Sequence, residues 1–533
     1  MKEEEREQRL REREIARLRR KKNRPLTFVS AFFILIFVSL IGYLVYFDAI
    51  KSEDFINSPY NTRQDTFSDR VVRGSIQSSD GEVLAQTNVY EDGTEERTYP
   101  FSNIFAHAVG YDTNGKSGLE SEANFQLLTS HSFFLEQMKN EFLGKKNQGD
   151  TVISSLNADL QTTAYNSLGD RRGAVVVLEP STGRILAMVS KPDFDPNTIA
   201  QNWDTLVNDE SNSSLLNRAT NGAYPPGSTF KIVTALDYFR QKGSLEGYSY
   251  LCQGSITVDD HTIQCYNGAV HGQEDFYSAF AHSCNCAFAD MGLGLGGGTL
   301  KSTAEDLLFN KALPLNSYKT SRFTLDNDSP NALVMQTSIG QGNTLVSPMH
   351  MALITSAIAN DGVLMKPTMI DKIVNNSGDT VRETEKTEYK RLMTRNEANI
   401  LGKLMKNVVE NGTASALNGR GYTVAGKTGS AEFDENGSSH SWFVGYSNVD
   451  DPDIAIAVIV ENGGTGSEAA VPSAADVFDA YYFDSIENSI CFLPLAYKVK
   501  KRYTIASAKD TRITGGLQYD RSNKLWRCGN SSG

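Results

Sequence analysis

Three short groups of polar residues in this 533-residue chain have the types and spacing for covalent chemistry on a carbonyl carbon. The first is Ser228-Thr229-Phe230-Lys231, preceded by Tyr224-Pro225-Pro226-Gly227. The Pro-Pro-Gly run stops whatever precedes it and lets a helix begin at or near Ser228. On a helix, positions i and i+3 share a face, so the Lys231 amine can reach the Ser228 hydroxyl. A serine hydroxyl is a weak nucleophile until a base takes its proton, and a desolvated lysine can be that base. The second group is Ser283-Cys284-Asn285, a hydroxyl and an amide two residues apart that can enter one cleft from a turn or helix end. Ser283 could relay a proton between Lys231 and a leaving group, and Asn285 could bind a substrate carbonyl. The third is Lys427-Thr428-Gly429-Ser430. Strand alternation puts Lys427 and Gly429 on one side, where the missing side chain of Gly429 lets a substrate backbone approach. Taken singly, each group has a plainer explanation: a helix start, a turn or cap, and a charged surface turn.

Bringing these groups together is a task for the surrounding elements. The pattern predicts a helix over Ala158–Leu168, then a hairpin of strands Ala174–Leu178 and Ile185–Val189 around the turn Pro180-Ser181-Thr182-Gly183. Far downstream, Thr423–Ala425, Trp442–Tyr446 and Ile454–Val460 read as three more strands, with a mostly helical stretch from about Phe230 to Val409 between. Strands at both ends with helices inserted imply an α+β domain whose sheet is closed by distant segments. Residues 48–150 read as a strand-rich pedestal without a catalytic constellation, and 151–483 as the domain that carries the chemistry.

Ahead of both, Leu26 to Phe47 is an uncharged apolar run long enough to span a bilayer core of about 30 Å. Residues 1–25 hold eleven Lys or Arg against six Glu, while Asp48, Glu53 and Asp54 follow the run. This bias places the N-terminus in the cytoplasm and the remainder outside. Between Glu3 and Lys22, Glu5/Arg9 and Glu7/Arg11 have helical i,i+4 spacing, which reads as a solvated helix. No small-residue cleavage site follows Tyr46, so the run is expected to remain as an anchor, 26–47. A net charge of −12 argues against a nucleic-acid binder. Six cysteines are too few for a disulfide scaffold of this length. Cys252 and Cys265 could pair; Cys284 and Cys286 are too close for an easy bridge, and none shows metal-ligand spacing with histidine. The tail 484–533 is basic, with nine Lys or Arg against three acids from Ile486 onward, and is assigned no role.

In this order, the three groups resemble the acyl-serine transferases, meaning penicillin-binding proteins and serine β-lactamases. Arg73-Gly74-Ser75-Ile76, Asp80-Gly81, Leu84-Ala85, Gly118-Leu119-Glu120, Gly173 through Ser190, Ile339-Gly340-Gln341-Gly342 and Trp442-Phe443-Val444-Gly445 narrow the likeness to class B penicillin-binding proteins. It covers roughly Arg70 to Tyr482. The resemblance implies an antiparallel sheet flanked by helices, and a DD-transpeptidase acting on the D-Ala-D-Ala end of peptidoglycan stem peptides and acylated by β-lactam antibiotics. Ser228 would be the nucleophile, Lys231 its base, and Ser283 and Asn285 the proton-transfer and substrate-binding groups. Lys427 and Thr428 would engage the substrate carboxylate, and the backbone amides of Ser228 and Ser430 would form the oxyanion hole. A membrane-embedded glycosyltransferase is the implied partner, with no metal or organic cofactor. A β-lactamase or carboxypeptidase is the nearest rival; Glu305 and Asn310 are a near miss for a deacylating base, with the spacing off by one. A non-enzymatic scaffold or drug sensor is the rival of another kind, disfavoured by three intact motifs and by an N-terminal segment too short for a signalling domain.

Overall fold

The computed structural model describes residues 2–47, 70–432, 439–484, 517–520 and 525–528. The chain begins with one continuous helix, α1 (Lys2–Tyr46). Within it Phe28–Tyr46, 19 residues of mean hydropathy 2.6 with none of the span buried, is long and apolar enough to cross a membrane. Asp48, Glu53 and Asp54, used in the charge argument, lie outside the described residues.

The catalytic region is organised by a five-stranded antiparallel sheet of β1 (Gly173–Leu178), β2 (Ile185–Lys191), β3 (Val424–Glu432), β4 (Ser439–Ser447) and β5 (Ala455–Val460). Its spatial order is β3-β4-β5-β1-β2, so β3 is an edge and the early hairpin is joined to the late strands through the β5–β1 pair. The sequences of β1, Gly-Ala-Val-Val-Val-Leu, and β5, Ala-Ile-Ala-Val-Ile-Val, are unbroken apolar runs, buried at every position. Strands of that kind need cover on both faces. Helices α2 (Ala158–Leu168), α6 (Pro348–Ala359) and α8 (Ala470–Asp479) supply it, while α7 (Arg395–Asn411) packs on β3, α3 (Lys231–Lys242) and α4 (Phe276–Ala281) pack on α7, and α5 (Asn285–Leu295) packs on α3. Helix α6 packs on β5, β1 and β4, whereas α2 and α8 pack on each other and on β2 and β5 respectively. Helix α6 starts at Ser347, whose hydroxyl accepts from the His350 amide, with Pro348 in the first helical position. Because α6 is buried along almost its whole length, His350 must find internal partners. Its ring nitrogens lie 2.7 Å from Ser321 Oγ and 2.7 Å from Leu307 O, and burial pushes its pKa down to about 4.

Two features depart from the sequence reading. The stretch from Phe230 to Val409 is not simply helical: it carries hairpins at Ser255–Val258/His261–Gln264 and at Ile370–Val374/Thr380–Glu383, besides shorter pairs. The second hairpin also crosses the division drawn at residue 150. It joins a six-stranded sheet with Thr151–Ser154, Ile76–Gln77, Val83–Val89 and Glu95–Thr98 of the pedestal. Local alternation could not reveal this, because those strands are short and largely exposed on one face.

The pedestal motif residues turn out to be an internal ion cluster. Glu120 is fully buried, taking Arg73 Nε on one carboxylate oxygen at 2.7 Å and Arg97 Nε on the other at 2.7 Å. Residues 481–533 form a separate unit, in which Leu517–Asp520 pairs antiparallel with Leu525–Cys528.

Candidate active site

The Ser228 motif opens on a 3-10 turn, Gly227–Phe230, that runs straight into α3 at Lys231. In a 3-10 turn, side chains three apart nearly eclipse, so local geometry sets Ser228 and Lys231 toward one face, and Lys231 Nζ is hydrogen-bonded to Ser283 and Asn285. Gly227 has φ +52°, a left-handed conformation, and its amide donates to Gly340 O at 2.9 Å. Ser228 itself is half-buried, whereas Lys231 is wholly buried at the head of α3.

The Ser283 motif is a helix-to-helix turn. After α4, the Ser283 amide donates to Phe280 O and the Cys284 amide to Ala279 O, the paired bonds of a Schellman ending. The residue that must then turn left-handed is usually glycine. Here it is Ser283, with φ +58°. Cys284 caps α5 by accepting from the Ala287 amide, which makes Asn285 the first residue of that helix. Sequence alone left open a turn or a cap; the structure makes it both.

Lys427, Thr428, Gly429 and Ser430 do not follow a strand, as the spacing predicted; they are the middle of edge strand β3. A Cβ built on Gly429 would sit 3.0 Å from Thr229 Cγ2 and 3.1 Å from Pro226 O. The missing side chain is therefore needed so that the strand can press against the Ser228 turn, a packing reason nearer to hand than the approach of a substrate.

The three motifs meet at Ser283 Oγ. Lys231 Nζ lies 3.1 Å from that oxygen and donates also to Ser283 O at 2.6 Å and Asn285 Oδ1 at 2.7 Å. Lys427 Nζ approaches the same Ser283 Oγ at 2.9 Å and donates to Thr428 O at 3.0 Å. Two lysines and two polar groups from segments about two hundred positions apart thus share one cluster. Burial drives both lysines toward the neutral form. Lys231 falls to about 8, mainly by desolvation and against the pull of the neighbouring thiols. Lys427 is held well below the ordinary lysine range by burial and, secondarily, by the charge of Lys231. A lysine that is partly neutral near physiological pH and beside a serine-bearing turn can accept a proton; an uncharged hydroxyl between two amines can pass one on.

Behind Ser283 lies a group the spacing argument missed. Cys252 Sγ, Cys265 Sγ, His271 Nδ1 and Cys284 Sγ all lie within 4.8 Å of one another. Cys252 and Cys265 are 3.7 Å apart, Cys265 and Cys284 3.7 Å, and Cys252 and His271 3.4 Å, with all four thiols of this region free. A tetrahedral ion with metal–sulfur bonds of about 2.3 Å needs ligand separations of about 3.8 Å, so this donor set could hold a zinc-like ion. The sequence shows no metal-ligand spacing with histidine, yet the fold brings His271 Nδ1 within 3.4 Å of Cys252 Sγ. Cys252 and Cys265 are neighbours, as the sequence suggested, yet the contact is one edge of a larger cluster. No short motif announces it, because the four ligands come from four separate segments: the end of strand Tyr250–Cys252, the turn at Cys265, the loop at His271 and the cap at Cys284. The cluster also touches the catalytic turn: Asn285 Nδ2 donates to Gln264 O at 2.9 Å, next to Cys265.

Comparison with known proteins bears on this constellation directly. Residues 173–480 match the penicillin binding protein transpeptidase domain. The chain belongs to that family. Residues 73–152 match the penicillin binding protein A dimerisation domain, so the family assignment extends over the pedestal. Among curated relatives, the peptidoglycan D,D-transpeptidase PbpA of Mycolicibacterium smegmatis is 32% identical over 434 residues, covering 75% of this chain and 87% of that protein. The peptidoglycan D,D-transpeptidase MrdA of Acinetobacter baumannii is 29% identical, covering 79% and 70%. Of solved structures, a ceftriaxone acyl-enzyme complex of penicillin-binding protein A from M. tuberculosis superposes with a TM-score of 0.72 at 27% identity, covering 79% of this chain and all of that one. The D,D-transpeptidase domain of a peptidoglycan glycosyltransferase from Eggerthella lenta gives 0.70 at 30% identity, covering 77% and 98%. The penicillin-binding fold expected from the motifs is the fold observed.

Proposed function

We propose that this protein cross-links peptidoglycan stem peptides as a D,D-transpeptidase, and binds penicillins covalently by the same route. The observation that carries the reading is the shared Ser283 oxygen, which joins a partly neutralised Lys231 to Lys427 on an edge strand. The Ser228 oxygen attacks the carbonyl of the penultimate D-Ala while its proton passes to Lys231 Nζ. The oxyanion that forms is held by the backbone amides of Ser228 and Ser430. As the peptide C–N bond breaks, Ser283 passes a proton to the departing D-Ala amine. An amine from a second stem peptide then attacks the ester and restores Ser228. Lys427 and Thr428 hold the terminal carboxylate, Asn285 takes a substrate carbonyl, and the open side of β3 receives the peptide as an added strand. A β-lactam acylates Ser228 by the same attack, but the amine freed when its ring opens stays tethered to the acyl group and keeps an acceptor amine from the ester, so the acyl-enzyme persists.

Of the pair Glu305 and Asn310 on which a hydrolase reading would draw, the Asn310 side chain is engaged with backbone, donating to the Phe323 carbonyl at 2.9 Å and accepting from its amide at 3.0 Å. Labelling with a fluorescent penicillin tests the proposal. A stable adduct that maps to Ser228, is lost in Ser228→Ala and is released slowly supports a transpeptidase. Rapid release would favour a lactamase, and no adduct a scaffold.

The basic N-terminal segment supports a cytoplasmic N-terminus with the catalytic region outside; cysteine labelling from either side of intact membranes tests that orientation. The sequence from the anchor to Gly149 is only about 100 residues and carries no catalytic carboxylate cluster, which supports a membrane-embedded glycosyltransferase as partner. Failure of the two to co-purify from native membranes would remove it.

A further inference from the structure

We infer that Thr413 is a positioning residue for recognition of the substrate carboxylate, acting through Thr428; this rests on the reading of Thr428 as a carboxylate ligand. Helix α7 ends at Asn411, and Gly412-Thr413 then threads between the two other catalytic elements. On one side, the Thr413 amide donates to Ala281 O at 3.3 Å, and Ala281 is the last residue of the helix that leads to Ser283. The passage is tight. A Cβ on Gly412 would lie 2.3 Å from Ala281 O, so only glycine lets the segment through. On the other side, Thr413 Oγ1 lies 2.5 Å from Thr428 Oγ1. Thr428 is buried, while Thr413 is half-buried.

Each hydroxyl has one proton to give and two lone pairs to receive. If Thr428 gives its proton to a carboxylate, the bond between the two hydroxyls can have only one direction: Thr413 donates and Thr428 accepts. Thr413 thereby fixes the rotamer of the Thr428 hydroxyl, aims its proton outward, and strengthens the charged hydrogen bond by polarising it. Without Thr413 the Thr428 proton is free to point elsewhere, and the carboxylate loses an oriented donor while the acyl-transfer centre around Ser283 keeps its partners.

The test uses the full-length protein in detergent and two acyl-D-alanyl thioesters, one ending in a free carboxylate and one capped as its methyl ester. In Thr413→Val the ratio of kcat/KM for the carboxylate over the ester falls about tenfold, the scale of one lost hydrogen bond to a charged group. Thr413→Ser restores the ratio. Thr413→Val/Thr428→Val is no more impaired in that ratio than Thr428→Val alone, as expected of two residues acting in series. A residue that merely props the fold would lower both substrates together and leave the ratio unchanged, which would overturn the inference. Loss of selectivity in Thr428→Val but not in Thr413→Val likewise overturns it while sparing the carboxylate site. If Thr428→Val itself keeps the ratio, the reading of Thr428 fails first. Should Thr413→Val not fold, Thr413→Ala is read against the same ratio.

Discussion

The charge state of Lys231 can be moved in either direction by one substitution at Asn285, and the sign of the response tests its role as base. Asn285 Oδ1 accepts from Lys231 Nζ at 2.7 Å. At pH 7, a lysine whose pKa is about 8 is neutral in about 9% of molecules, against about 0.03% for one at its ordinary value. Asn285→Asp places a carboxylate where the amide oxygen was. The Coulomb term for unit charges at 2.7 Å, with an effective dielectric constant of about 20, is about 6 kcal/mol, an upper bound. The usual response to an adjacent opposite charge is a rise of about 1 to 3 pH units. The neutral fraction at pH 7 then falls to between about 1% and 0.01%, and the acylation rate constant should fall by about ten- to a thousandfold. Asn285→Ala removes an acceptor that favours the ammonium, so its inflection should move below that of the wild type even as its maximal rate drops. The assay is stopped-flow acylation by a fluorescent penicillin from pH 6 to 10. Rates should rise with pH through about 8 in the wild type, later in Asn285→Asp and earlier in Asn285→Ala. Superimposable inflections in all three proteins would refute Lys231 as the titrating base.

Other outcomes follow from the same geometry. Ser283→Gly and Ser283→Ala should both lose acylation, but the glycine variant should be the more stable by about 1 kcal/mol in denaturant unfolding, because only alanine keeps a Cβ in the left-handed position. Burial raises the Glu120 carboxyl, yet Arg73 and Arg97 outweigh it and hold the pKa below the ordinary range. The stability it contributes is therefore present at neutral pH and is lost as pH falls through that depressed value. Glu120→Gln leaves two buried guanidiniums without their counter-charge and should cost about 3–5 kcal/mol at pH 7 by thermal or denaturant unfolding. Purified protein should carry about one equivalent of zinc by elemental analysis, and a strong chelator should lower its melting temperature. A mapped disulfide between Cys252 and Cys265 in metal-free protein would count against that.

What the sequence made legible was what is local or repeated in pattern. Ser228 and Lys231 lie one turn apart, so setting them toward one face needs only the onset of a helix, and helix Ala158–Leu168 appears with the predicted bounds. The apolar runs of β1 and β5 declared themselves as buried strands, although β3 and β4 proved longer than their hydrophobic portions, because Lys427 and Thr428 interrupt the pattern in β3 and Ser439-His440-Ser441 open β4. Convergence of the three motifs came from family resemblance rather than from spacing. Contacts between unlike segments stayed hidden. His271 reaches the thiols only after two hairpins fold back, Thr413 looks like the frayed end of an amphipathic helix, and Ile370–Glu383 gives no local sign that it pairs with Thr151–Ser154.

The strand order of the central sheet has a bearing on biogenesis. The hairpin β1–β2 is made early, but its β1 edge is satisfied only by β5, which ends at Val460. During synthesis, those early apolar strands must wait with an open flank until more than two hundred further residues have emerged. Such late closure of distant pairs makes for slow maturation and a long window for mispairing. A chain cut short before β5 would carry Ser228 and the paired strands β1–β2 and β3–β4, but not the strand that joins the two pairs into one sheet.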